Sequence, residues 1–357
     1  MKRSADYDAA CLNDRLHIPL HASVSIRDFK FAASCLRAAY AAAMLISFAV
    51  TGSAFAQGWK PVKPVEFAVG SGAGGGNDKT ARTLQRIWQS AGALQNIAVV
   101  NKVGGGGAVA YAYVAQHAGD AHYLAVVRKA FLTNHILGRS PYNYTDMTVL
   151  GIIGDEVMAL AVRADSPIRS VKDLLERLKA DPQSVSVSLG SARGSTPHFT
   201  YALVENSAVI DPRKLKVVTF GGAAESVTNL LGGHIDMTAG SVDNMIPHLR
   251  SGAVRVLGIS GAQRSVSLPE VPTLKEQGID VVQGGWLAVM APKGLSDAQV
   301  AYWEGMLERG IAHADWKHLL EADALEPMFL KGQAARDYLK KDYELSRTLL
   351  GELGMVK

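Results

Sequence analysis

Eight short apolar runs punctuate the chain from Val65 onward: VEFAV (65–69), IAVV (97–100), YLAVV (123–127), MALAV (158–162), VSVSL (185–189), LKVV (215–218), IDMTA (235–239) and VRVLGI (254–259). Most are followed by a helical pattern. Near-continuous apolar runs of this length suit strands buried on both faces, and the helical spacers between them predict parallel sheets with helices on either side. The fold class is therefore α/β. With 357 residues, 48% of them hydrophobic and 20% charged, the chain is long enough for two domains of ordinary size. After VEFAV, the residues Ala81, Leu84, Trp88 and Ala91 share one helical face, with Lys79, Arg82, Gln85 and Arg86 largely elsewhere, which predicts a helix lying on a sheet. Near the C-terminus, SDAQVAYWEGMLERGIAHA opens on a Ser296 cap, and AARDYLKKDYELSRTLLGEL is a long amphipathic pattern ahead of Gly354. Both are expected to pack on the first domain.

The first 56 residues stand apart. Basic residues up to Arg37 precede the apolar stretch AAYAAAMLISFAV (38–50), and the small-residue sequence SAFA follows ahead of Gln57. This is the order of an export signal cleaved after Ala56. The apolar stretch falls short of the roughly 20 residues that a spanning helix requires. The polar part ahead of Phe29 is long for a signal and reads as a start placed too far upstream. Cys11 and Cys35 both lie in this segment, and AASC (32–35) has no apolar stretch before it, so it is not a lipid-attachment box. A mature chain without cysteine has no disulfide or thiol chemistry. Removing the segment takes six Lys/Arg and four Asp/Glu from totals of 37 and 33, leaving a net charge of +2. That balance, with no basic block interleaved with aromatics, argues against a nucleic-acid partner.

The stretch VEFAVGSGAGGGNDKTARTLQRIW (65–88) places five glycines in seven positions between a strand and a helix. Gly70, Gly72 and Gly75 satisfy G-x-G-x-x-G, but a dinucleotide site also needs an acidic residue about 20 positions on to meet the ribose. Residues 79–119 contain no Asp or Glu. GAGGGNDKT lacks the G-K-[ST] ending of a P-loop. No cofactor is expected. A tight turn needs only one or two glycines. Gly72, Gly74, Gly75 and Gly76 instead strip every side chain from a helix start, where free N–H groups and the dipole favour an anion. The arrangement recurs at Gly104 to Gly107, at Gly190, Ser191, Gly194, Ser195 and Thr196, and at Gly221 and Gly222. Such loops lie at the carboxyl ends of strands, where α/β sheets bind ligands. A small anion is the expected ligand.

Catalytic signatures are sparse. His117, His122, His135, His234 and His248 show no H-x-x-x-H or paired-carboxylate spacing, so no zinc site is expected. G-x-S-x-G is absent, because GSARG (190–194) places its serine one position early. Triads need not be neighbours in sequence, so an exported α/β enzyme acting on a small carboxylic acid stands as the alternative function.

In order and spacing, AGGGNDKTAR, VVNKVGGGGAVA, LGSARGSTPH, VVTFGGAAESVTNLLGGHIDM, MIPHLRSGAVRVLGISGAQRSVSLPEVPTLKEQG and GWLAVMAPKGLS resemble the Bug family, the extracytoplasmic solute receptors of tripartite tricarboxylate transporters. The resemblance covers nearly all of the mature chain. It implies a periplasmic, monomeric, non-catalytic receptor with the two-lobed clamshell fold of type II periplasmic binding proteins. Residues 57–162 and 284–357 would form lobe one and 163–283 lobe two, with crossings near Arg163 and Gln283. Its ligand would be a small carboxylate, held by loop amides, hydroxyls and bridging water, and its partners would be the membrane permease subunits of the transporter. Carried onto this chain, the resemblance puts Ser71, Ala73, Gly75, Gly76 and Asp78 of the first loop, and Gly190, Gly194, Ser195 and Thr196 of the lobe-two loop, at the ligand.

The chain departs from the family pattern at Arg128 and Lys129, where a small Thr/Ser stretch is common, at Arg193 in a loop often uncharged, and at Gly70 and Ser71 in place of an aromatic or proline. Arg128 and Lys129 follow a buried strand pattern, so at least one is expected to point over the cleft, with Arg193 approaching from the other lobe. The plainer reading makes all three solvated rim residues. Asp78 reads as a helix cap worth about 0.3 to 1 kcal/mol ahead of a partner for a ligand amino group. His198 fits either a carboxylate donor or a packed helix-start residue. Trp286 fits the core better than ligand stacking.

Overall fold

The computed structural model describes residues 58–190 and 193–356. The expected export segment, with Cys11, Cys35 and the cleavage site after Ala56, lies outside them, as does Ser191. The first part of the chain runs β1 (Val65–Val69), α1 (Gly76–Ser90), β2 (Ile97–Asn101), α2 (Ala108–Ala115), β3 (Tyr123–Arg128), α3 (Ala130–Ile136) and β4 (Met147–Glu156). There follow β5 (Met158–Arg163), α4 (Val171–Ala180), β6 (Ser186–Leu189), α5 (Thr196–Asn206), β7 (Lys216–Thr219), α6 (Ala223–Leu231), β8 (Met237–Ser241), α7 (Ile246–Arg250) and β9 (Val254–Ile259). The last part holds β10 (Leu287–Pro292), α8 (Asp297–Ile311), α9 (Ala314–Ala322), β11 (Leu325–Glu326) and α10 (Gly332–Glu352).

These strands form two sheets, ordered β11-β4-β10-β3-β1-β2 and β7-β6-β8-β5-β9. Strand direction departs from the all-parallel expectation. β2, β1 and β3 are parallel, as are β7, β6 and β8, whereas β10 runs antiparallel to both of its long neighbours and β5 to both of its own. The reason is connectivity. β4 leads out of the first sheet and β10 leads back into it, so the two lie side by side in opposite directions. β4 ends at Glu156 and β5 begins at Met158, with Val157 bridging Gly284 on the return path. The sheet change therefore precedes β5, rather than following it near Arg163, because MALAV is the first strand of the second sheet.

Alternation of side chains across the first sheet separates two apolar layers. Phe67, Val69, Leu124 and Val126 join Leu84 and Trp88 of α1 and Trp303 of α8 on one face. Ala68, Ala125 and Val127 meet Tyr111 and Val114 of α2 and Leu339 of α10 on the other. The Trp88 indole N–H donates to the Met306 carbonyl at 3.0 Å, tying α1 to α8. Ala91 is exposed at the end of α1 instead of extending its buried face. Ser296 caps α8 through a reciprocal pair with Gln299, an arrangement typically worth about 1 kcal/mol. The second sheet has its own core, with Leu160, Val187, Leu189 and Met237 packed against Leu174 of α4 and Tyr201 and Val204 of α5.

Candidate functional site

The ends of β3, β6 and β8 and the two sheet changes enclose a cavity of about 320 Å³. Its lining combines Arg128, Lys129, Ala130, Glu156 and Gly285 with Met158, Gly190, Ser195, Thr196, Pro197, Ala223, Gly240, Ser241 and Asn244. Two helix starts open on it. Ser195 is the N-cap of α5, with Pro197 in a position where no N–H is required, and Ala223 opens α6 behind Gly222. The close approach of the β6 exit to α6 depends on glycine, since a Cβ at Gly190 would lie 2.5 Å from the Ala223 Cα. Ser241, only 8% exposed, lines the cavity with an Oγ that has no partner among the described residues. A larger hollow of about 390 Å³ lies against α9 and β11, lined by apolar residues such as Trp316, Leu320 and Phe329. It lacks the convergence of strand ends and helix starts that marks a ligand site in α/β folds.

The two adjacent cations at the end of β3 part company. Arg128 lines the cavity; its Nε–H donates to Asn77 Oδ1 at 2.8 Å, and Nη1 donates to Glu156 Oε2 at 3.3 Å. Nη2 stands against the start of α1, 3.1 Å from where a Gly76 Cβ would be. Lys129 turns inward. Its side chain is 3% exposed, and Nζ donates to Asp342 Oδ1 at 2.5 Å, while the Trp286 indole donates to Oδ2 of the same carboxylate at 2.7 Å. Burial pushes the Lys129 ammonium below its ordinary range, and Asp342 opposes that shift. Lys129 is thus neutralised inside the fold, and Trp286, with no exposed surface, is a core residue.

Asp155 sits beside this pair at the sheet change. Its carboxylate lies over Gly284, where any Cβ would collide with it, and Oδ1 is shielded with no partner among the described residues. Burial, with the nearby Glu156 charge adding to it, pushes the carboxyl up to about 6.

The first glycine loop is closed on itself. Asp78 is buried, and its Oδ2 accepts from the Gly74 N–H and Arg82 Nε, both at 2.9 Å, while Oδ1 accepts from Asn101 Nδ2 at 2.9 Å. Burial works against the charge, but these donors outweigh it and hold the carboxyl below its ordinary value. Ser71 Oγ accepts from the Asp78 N–H at 3.3 Å. Asp78 therefore caps and pins the loop. Gly70 serves packing as well, because a Cβ there would lie 2.5 Å from the Gly107 Cα of the second glycine loop.

On the second sheet, His198 is 3% exposed and its Nδ1 accepts from the Gly194 N–H at 2.9 Å. Burial, helped by the Arg193 charge, pushes the ring down to about 4, so it is neutral and serves the loop. Gly194 faces Leu350 and Met355, and exposed Arg193 donates to the Val217 carbonyl at 3.1 Å. Of the residues singled out in the sequence, the cavity brings together Arg128, Lys129, Gly190, Ser195 and Thr196; Ser71, Ala73, Gly75, Gly76, Asp78, Arg193, Gly194 and His198 lie outside its lining. Sequence reasoning did not single out Glu156, Ala223, Ser241, Asn244 or Gly285. Among the described residues, no three His, Cys, Asp or Glu side chains converge as a metal-ligand set.

Comparison with known proteins agrees with this fold. The TctC model, described as the tripartite tricarboxylate transporter family receptor, matches residues 81–355. Protein BugT of Bordetella pertussis is 30% identical over 242 residues, covering 66% of this chain and 72% of BugT. A Cupriavidus necator protein, "UPF0065 protein in gbd 5'region", is 28% identical over 307 residues, covering 83% of this chain and 89% of that protein. Among solved structures, a ligand-free TctC solute binding protein from Polaromonas superposes with a TM-score of 0.75 at 27% identity, covering 83% of this chain and all of that one.

Proposed function

Because the chain belongs to the tripartite tricarboxylate transporter receptor family, a family of periplasmic solute-binding receptors for carboxylates, we propose that its ligand site is the cleft between the two sheets. A small organic acid enters there and sets its carboxylate on Arg128 and on N–H groups at the starts of α5 and α6, with Ser195, Thr196 and Ser241 supplying hydroxyls. Lobe two then spans the residues from Val157 to Gly284, the paired crossings act as the hinge, and closure of the lobes sequesters the ligand. The receptor is exported with cleavage near Ala56, works as a monomer, leaves its ligand chemically unchanged and delivers it to the membrane permease subunits.

The observation that supports this reading most is the conjunction, in one cavity, of a guanidinium, two helix starts and a Ser241 Oγ without a partner among the described residues. Separately each is an ordinary feature. Together they supply both the charge and the directed donors that a carboxylate needs. A thermal-shift screen of carboxylic acids tests it, since a ligand at a hundredfold excess over its Kd stabilises the folded state by about 2.7 kcal/mol. At least one acid is expected to raise the melting temperature and to be recovered unaltered. A full panel without a shift, or recovery of a converted product, would overturn the proposal.

A further inference from the structure

Glu156 is the cleft carboxylate that a purely anion-binding site does not require. Among the described lining residues only Arg128, Lys129 and Glu156 carry charge, and Lys129 is neutralised by Asp342. The cleft is left with one guanidinium and one carboxylate, 3.3 Å apart and 22% and 29% exposed. The position of Glu156 is built by its surroundings. The Gly285 N–H donates to the Glu156 carbonyl at 2.9 Å, and a Cβ at Gly285 would lie 2.9 Å from Glu156 Oε2. The same point is 3.5 Å from Thr196 Oγ1 at the start of α5. A bare residue at 285 therefore makes room for the carboxylate between Arg128 and α5.

We propose that Glu156 selects the ligand, and that the cleft takes an amino acid: the ligand carboxylate meets Arg128 and the α5 and α6 starts, and its ammonium group meets Glu156. This rests on the carboxylate-receptor reading and narrows it. A dicarboxylate brings two negative charges to a cleft with one open cation and one fixed anion, leaving one of its carboxylates facing Glu156. A zwitterion satisfies both groups at once and leaves neither charge unpaired. If Glu156 were only a resting counterion for Arg128, the arriving carboxylate would displace it, and its removal would tighten every acid alike.

The two cases separate in calorimetric titrations of matched pairs: alanine and propionate, aspartate and succinate, glutamate and glutarate, phenylalanine and 3-phenylpropionate. The full exported chain is expected to bind the amino acid of at least one pair tenfold or more tightly than its partner lacking the amino group. E156Q is expected to erase that ratio, and E156D, which keeps the charge, to retain part of it; circular dichroism melts confirm that both variants fold. Equal affinities within every pair in the wild type, or a uniform gain for acids of both kinds in E156Q, would overturn the selection by Glu156 while leaving the receptor reading intact. Binding of neither member of any pair would overturn the receptor reading, and this proposal with it.

Discussion

Replacing Asp155 by asparagine should change how folding stability depends on pH, and the direction follows from two buried groups. In the unfolded chain the Asp155 carboxyl has its ordinary value of 3.8, and in the folded protein it is pushed up to about 6. Between those values the folded state holds more protons, so this group makes unfolding free energy fall as pH rises, by about 3 kcal/mol for a shift of about two units. His198 acts oppositely. Its folded value of about 4 lies below the ordinary 6.5, so the stability it contributes is present above pH 6.5 and is lost as pH falls towards 4. In the wild type the two contributions largely offset each other across this window. D155N removes one and leaves the other, so its stability should climb from pH 4 to pH 6 by about 2 kcal/mol relative to the wild-type profile. Urea titrations at half-unit pH intervals, with unchanged m-values, give the profile directly. Parallel profiles for the two proteins would refute the assignment of a buried, proton-binding carboxyl at the sheet change.

Other substitutions separate structural charges from ligand-binding ones. K129M leaves the Asp342 carboxylate buried without its cation, and thermal or urea unfolding should show a loss of about 3 to 5 kcal/mol, while ligand affinity per folded molecule changes little. R193A should leave affinity for the best acid within about twofold by calorimetry, the scatter expected of a surface substitution, since its guanidinium is held by the Val217 carbonyl away from the cavity.

Most buried strands were legible because each is a near-continuous apolar run, although LAVMAP of β10, buried throughout, was not among those runs; the helices were legible because their buried faces recur every turn: Ala81, Leu84 and Trp88 are buried as the pattern requires. β4 was less legible. MTVLGIIGDE ends on an acidic pair, contains Gly151 and Gly154, and runs into β5 with only Val157 between, so no loop signal separates the two strands. Those glycines face Leu307 of α8 and Leu320 of α9 in the folded protein, which local pattern does not reveal. Glu156 went unnoticed with the strand that carries it. Strand direction was also hidden, because periodicity records burial and not orientation. The adjacent cations Arg128 and Lys129 look equivalent in sequence, but consecutive side chains at a strand end diverge. The acid that claims Lys129 is 213 residues away. The glycine loops raised a related ambiguity, since Gly70 and Gly190 serve close backbone approaches to Gly107 and Ala223, a need that looks the same in sequence as a bare anion site.

Arg128 carries the central claim, that the cleft holds an acid through a guanidinium at the end of β3. Removing a charge-assisted hydrogen bond costs about 1.5 to 3 kcal/mol, out of roughly 8 kcal/mol behind micromolar binding. Calorimetric titration of the best acid from the thermal-shift screen into wild type and R128A therefore tests the account most directly. The account predicts at least a tenfold weaker Kd in R128A with the fold retained. An unchanged Kd would contradict it.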